Sequence, residues 1–191
     1  MRKRKCVVAA RHGKSFFFQK EALRRFDASL DAVTTTEEGV FVIRKDDLSS
    51  NETRGLLAIH LAGMHASSPP GSVFALDLSG LQDARVVVWS VWDSAAIAGI
   101  GALKELGDGG GELKSMRTHP AYLRRGVASL LLDHMIDEAR ARGLRRLSLE
   151  TGSGPAFAAA LALYRSRGFA DGAAFGGYER SEFNQFLHLA L

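Results

Sequence analysis

The chain has 191 residues, 46% of them hydrophobic and 24% charged, with a formal net charge of +4 and one cysteine, Cys6. That length can bury a real core in one domain. The single thiol excludes an internal disulfide and a cysteine-pair zinc site, and no apolar run reaches the roughly 18 residues of a membrane helix, so a cytoplasmic globular protein is expected, with no membrane partner.

The charge is unevenly spread. The first 25 residues hold nine Lys/Arg and one acid, Glu21, while the remainder has 16 basic and 20 acidic residues. Residues 1–39 are therefore read as a basic N-terminal extension, either disordered or the product of a start assigned too far upstream. Such a segment also suits a nucleic-acid arm or a targeting sequence, although nucleic acid is not the expected partner. The folded domain is expected over residues 40–191.

Val40–Arg44 reads as a first strand, from its β-branched run. Ser50 or Asn51 is placed to cap a helix from Glu52 to about His65. SSPPG at 67–71 breaks the chain, and Val73–Leu81 is expected as a short second helix. Arg85–Trp92 is a clear strand whose tryptophans, Trp89 and Trp92, fall on opposite faces because their spacing is odd. It turns at Asp93–Ser94 into a partner over Ala95–Glu105. Glu112–Thr118 is a further strand. A helix follows to Arg142, stopped by Gly143, then a strand over Leu144–Glu150, a helix over Pro155–Arg167 stopped by Gly168, and a last turn and strand within Ala173–Leu191. The order βααβββαβαβ predicts an α/β domain built on one mixed sheet.

One junction carries chemistry. The loop HPAYLRRGVASLL passes from strand to helix at Arg124-Arg125-Gly126. The first amides of a helix lack internal partners and carry partial positive charge, so an anion is matched to them. Gly126 and Ala128 leave the backbone open to close approach, and Arg124 and Arg125 add charge at the rim. Val127, Leu130, Leu131, Met135, Ile136 and Ala139 recur at helical spacing and would anchor the helix below. This is not a P-loop, since no Gly-Lys-Ser/Thr follows, nor a dinucleotide fingerprint, since the three-glycine spacing is missing. The histidines give no metal site: His60 and His65 are five apart, which turns them about 140° from each other on a helix.

Taken together, GELKSMRTHP, RRGVA, LETGS, LYRSRGF and the Phe175–Tyr178 segment resemble the GNAT superfamily of acetyl-CoA-dependent N-acetyltransferases, in particular a subgroup of small bacterial members. The resemblance spans about residues 40–191. It implies the acyl-CoA N-acyltransferase fold, a mostly antiparallel mixed sheet splayed between its fourth and fifth strands, with helices on both faces. It implies acetyl-CoA as co-substrate, with no metal, its pantetheine beside Met116, Arg117 and Thr118 and its pyrophosphate on the amides of Arg124, Arg125, Gly126, Val127, Ala128 and Ser129. Tyr164 takes the place of the general acid that protonates the departing thiolate. Glu112 and Glu150 are the candidates for a general base that deprotonates the amine. The acceptor is an amine of a small molecule or peptide, and a homodimer is common in the family. Two positions depart from the pattern: Leu123 stands where a Gln or Arg is usual and Phe157 where an asparagine is. They leave a second reading, a degenerate domain that binds acyl-CoA as a sensor.

Overall fold

The computed structural model describes residues 30–36 and 39–191, and the side chains from Val40 onward. Among the described residues the sheet has eight strands: β1 (Leu30–Thr36), β2 (Gly39–Lys45), β3 (Val86–Asp93), β4 (Ala96–Glu105), β5 (Gly110–Thr118), β6 (Arg146–Gly152), β7 (Ala170–Asp171) and β8 (Asn184–Ala190). Their order is β1-β2-β3-β4-β5-β6-β8-β7. All neighbours are antiparallel except β5 and β6. The sheet thus takes in one strand ahead of residue 40, while residues 1–29, most of the basic extension, lie outside the described residues.

Four helices among these residues cover the sheet: α1 (Asn51–Ser67), α2 (Leu78–Leu81), α3 (Val127–Ala141) and α4 (Ala158–Ser166). Ser50 caps α1, its Oγ accepting from the Thr53 amide at 3.1 Å. The helix expected over Val73–Leu81 shrinks to the single turn α2. Asp77 is the reason: its Oδ1 accepts from the Gly80 amide at 2.8 Å and from the Ser79 hydroxyl, so it caps a helix that begins only at Leu78. Likewise Pro155–Phe157 forms a 3-10 turn, and α4 starts after it.

Two apolar layers result. On one face α3 and α4 pack Val127, Leu131, Leu132, Met135, Leu161 and Tyr164 against Trp89, Val91, Leu103, Leu113, Leu147 and Leu149. Each large aliphatic side chain so buried contributes about 1.5–3 kcal/mol relative to exposure. On the other face Leu56 and Leu57 of α1 and Leu81 of α2 cover Val88, Trp92, Ile100 and Ala102. The two tryptophans do divide between the faces.

Both long αβ junctions end in the same device. Gly143 (φ 74°) closes α3 with Leu144 N–H donating to the Ala139 carbonyl at 3.0 Å. Gly168 (φ 89°) closes α4 with Phe169 N–H donating to the Tyr164 carbonyl at 3.2 Å. This left-handed glycine stop returns the chain onto the helix it leaves. It explains the Tyr…Gly-Phe pattern physically, since Phe169 is turned back against the Tyr164 ring with centroids 5.8 Å apart.

Candidate active site

The site begins where two strands part. β5 and β6 pair only through Gly110–Glu112 and Arg146–Ser148, although β5 runs on to Thr118 and β6 to Gly152. Beyond Glu112 the strands splay, as the family resemblance implies. A bulge helps to turn β5 away: Ile100 faces Arg117 and Ala102 faces Lys114, so Ser115 and Met116 together oppose Gly101. Ser115 takes a left-handed conformation (φ 52°), and its buried Oγ has no hydrogen-bond partner among the described residues. The His119 amide donates to the Ala98 carbonyl at 2.9 Å, so by alternation His119 and Arg117 direct their backbone groups at β4. Met116 and Thr118 then present theirs to the gap.

At the mouth of that gap lies the loop into α3. His119 Nδ1 caps the 3-10 turn Pro120–Tyr122 by accepting from the Ala121 amide. Arg124 (φ 61°) and Gly126 (φ 82°) are both left-handed, and Gly126 is the N-cap without any side-chain cap. The first amide to bond back is that of Leu130, to the Gly126 carbonyl at 2.9 Å. The amides of Val127, Ala128 and Ser129 therefore precede the helical ladder. A Cβ placed on Gly126 would meet nothing within 4 Å. The backbone at this end of the helix is open to close approach, and its unpaired amides suit a diphosphate.

The two loop arginines differ. Arg125 is tied down: it lies 3.8 Å from the Asp93 carboxylate and over the rings of Tyr122 and Phe41. It fastens the loop to the β3–β4 turn. Arg124 is exposed at the rim. Leu123, the departure from the usual pattern, is 60% exposed, so this loop keeps an apolar side chain at its surface. Phe157, the other departure, is buried against Phe183 and fills core volume.

The two candidate carboxylates share one face, because Glu112 pairs with Ser148 and Glu150 lies two residues further along β6. Their surroundings are unlike. Glu112 is buried and its Oε1 accepts from the Tyr178 hydroxyl at 2.6 Å and from Lys114 Nζ at 3.2 Å. Lys114 Nζ also donates to Tyr178 Oη at 2.6 Å and to the Phe74 carbonyl at 2.9 Å. The triad is closed upon itself, and it pins the segment before β8 and the chain before α2 to the centre of the sheet. Burial and the Glu112 carboxylate push the Tyr178 hydroxyl well above the ordinary phenol range, so it stays a donor. Glu150 is half-buried and has no hydrogen-bond or ion-pair partner among the described residues. Desolvation raises its carboxyl to about 7, the Lys114 ammonium opposing and the Glu112 carboxylate adding to the rise.

Tyr164 is buried in the α3–α4 layer, and burial raises its hydroxyl to about 12, which keeps it protonated. On the opposite side of the sheet, His60 of α1 is buried and desolvation, with the Arg117 and Lys114 charges, lowers it to about 4. His60 is neutral at physiological pH. Arg117 lies against the bare Cα of Gly63, where a Cβ would stand 3.3 Å from Nη1. His60 has no signal in the sequence that marks it as a site residue, and Lys114 and Tyr178 are hinted at only by the motifs that contain them, GELKSMRTHP and the Phe175–Tyr178 segment. Among the described residues no cluster of His, Cys, Asp or Glu is suited to a metal ion, and no helix is long and apolar enough to cross a membrane.

Known proteins of this shape carry the same chemistry in their names. Residues 59–169 match the Acetyltransferase (GNAT) family. The chain is 50% identical over 152 residues to YedL, an uncharacterised N-acetyltransferase of Escherichia coli K12, covering 80% of this chain and 96% of that one. A crystal structure of a candidate acyl-CoA N-acyltransferase from Klebsiella pneumoniae superposes with a TM-score of 0.68 at 26% identity, over 79% of this chain and 97% of the other. An acetyltransferase of Bacillus subtilis solved in complex with CoA shares the fold, with a TM-score of 0.58 at 19% identity over 78% of this chain and 97% of its own. The splayed sheet, the uncapped helix start and these relatives agree: the chain belongs to the GNAT family of acyltransferases.

Proposed function

We propose that the protein transfers the acetyl group of acetyl-CoA directly to an amine, with CoA seated across the β5–β6 splay. The observation that carries this reading is the gap itself. Strand pairing stops after Glu112, the unpaired edge at Met116 and Thr118 faces an open slot, and the slot leads to the free amides of Val127, Ala128 and Ser129. An extended pantetheine chain can pair with such an edge as an added strand does, and the diphosphate can take the amides at the helix start. A Bacillus subtilis acetyltransferase of the same fold was solved in complex with CoA, which supports CoA as the co-substrate.

Acetyl-CoA supplies an activated thioester carbonyl. The protein's own residues handle the protons and the geometry. An amine acceptor arrives as an ammonium ion and must lose a proton before it can attack. Glu150, poised near 7 and unencumbered by a partner among the described residues, accepts that proton directly or through a water. Glu112 is unsuited to the task, because its oxygen already accepts from Tyr178 and Lys114. Tyr164 holds its proton throughout the neutral range and donates it to the departing sulfur. No covalent acyl-enzyme is needed, since both partners are held together and the rate gain comes from position and proton handling.

A panel of amines assayed for free thiol released from acetyl-CoA tests the reading, together with calorimetry of CoA binding. Saturable thiol release with at least one amine is the expected result. A folded protein that binds CoA but releases thiol with none would favour the acyl-CoA sensor instead.

A further inference from the structure

One charge on the α1 face of the sheet is unaccounted for. Lys114 is neutralised by Glu112, His60 is uncharged, and Tyr178 keeps its proton. Arg117 is different. It shares the α1 face with Lys114, because their partners Ile100 and Ala102 lie two apart on β4 and both belong to the layer under α1. It has no hydrogen bond or ion pair among the described residues, and its Nε is buried without a partner. A buried donor without a partner is costly, and an anion meeting the guanidinium edge that carries Nε would satisfy it. The Arg117 guanidinium rests against α1 at Gly63, where a Cβ would stand 3.3 Å from Nη1 and 3.7 Å from Nη2.

The anion is not expected to be the diphosphate of CoA. The helix start that fits it belongs to α3, on the opposite face of the sheet, whereas Arg117 points at α1. A planar, two-oxygen anion matches the guanidinium fork best, and that shape is a carboxylate. The free Glu150 carboxylate lies on this same face and does not pair with Arg117. The two unpaired charges, one positive and one negative, are complementary to a zwitterion.

We infer that the acceptor is a small amino acid, an amine that also carries a free carboxylate, with Arg117 gripping the carboxylate while the amine turns toward Glu150. This rests on the acetyl-transfer reading above and narrows its substrate class. It disfavours peptide amino termini, whose neighbouring carbonyl is an uncharged amide.

The test compares free amino acids with their carboxylate-free amines in two readouts, thiol release from acetyl-CoA and the rise in melting temperature of the CoA-saturated protein. In the wild type the preferred amino acid is expected to give both signals and its carboxylate-free counterpart to be poorer by about 10- to 100-fold in kcat/KM. Arg117→Gln should remove that preference, and Arg117→Lys should restore it only in part. Equal activity with carboxylate-free amines, or an Arg117→Gln variant that keeps the preference for the amino acid, would overturn the inference. A melting shift with amino acids that depends on Arg117, without any thiol release, would uphold the carboxylate site and sink acetyl transfer. Thiol release confined to carboxylate-free amines would do the reverse.

Discussion

Glu112 and Glu150 stand on one face of adjacent strands and are in opposite states. Glu112 accepts a 2.6 Å hydrogen bond from Tyr178 and a 3.2 Å bond from Lys114, while Glu150 has neither kind of partner among the described residues and is raised to about 7. Desolvation without compensation is what separates them. A carboxylate that is buried and bonded is a structural anchor, and one that is half-buried and unbonded is a proton acceptor in waiting.

The first consequence is a pH profile. Glu150 must be ionised to take a proton from the amine, so kcat/KM should climb with pH through about 7 and level off above it. Glu150→Gln should lower kcat by about 100-fold or more and flatten that limb. The same shift affects stability with a definite sign. The folded carboxyl, raised from 4.5 to about 7, binds its proton more tightly than the unfolded one. Its favourable contribution is therefore complete below the unfolded value and lost as pH rises through about 7. Glu150→Gln should melt higher than wild type at pH 8 and close to it at pH 4. A variant that loses rate but shows no relative stabilisation at high pH would contradict the burial assigned to this group.

Tyr164 offers a cleaner separation of binding from chemistry. Its ring is held by the α3–α4 layer and by Phe169, so Tyr164→Phe removes only the hydroxyl. The expected result is a fall in kcat of about 100-fold with CoA affinity preserved by calorimetry. With the hydroxyl raised to about 12, no descending limb from this residue should appear in rate profiles up to pH 10.

Much of this site is legible in the sequence, and the parts that are not share a cause. The helix start at Gly126, the left-handed stops at Gly143 and Gly168 and the strands around Trp89 all rest on local rules, and local rules act within a few residues. The splay follows from where β5 and β6 stop pairing, which only the family resemblance signals. The choice between Glu112 and Glu150 is undecidable from sequence, because it turns on Tyr178, 66 residues from Glu112 along the chain. The one-turn α2 reads as a longer helix because Asp77 suits a helix interior or a cap equally well until its partner, the Gly80 amide, is seen. The strand at Leu30–Thr36 escapes a sequence reading because the basic residues ahead of it colour the whole segment.

The loop at Gly126 separates strain from occlusion. At φ 82° any side chain costs about 1 kcal/mol relative to glycine. No protein atom lies within 4 Å of where a Cβ would stand, so Gly126→Ala should fold and melt only slightly lower. That methyl would nevertheless occupy the space assigned to the diphosphate. KM for acetyl-CoA should rise several-fold or more, while kcat at saturation changes little, a split that steady-state kinetics resolves.

Tyr178 is the last link, because it joins two separate jobs. Its hydroxyl donates to Glu112 and accepts from Lys114, and its ring stacks edge-on with Phe74 and Phe175 at 5.2 and 5.3 Å. Tyr178→Phe keeps the rings and deletes the bridge, leaving a buried carboxylate with one donor fewer. Loss of a buried charge-assisted hydrogen bond costs about 1.5–3 kcal/mol, so the melting temperature should drop by several degrees. Glu112 then keeps Lys114 as its remaining partner, at 3.2 Å. A variant that melts like the wild type would show that the Tyr178 hydroxyl does not hold the C-terminal segment on the sheet.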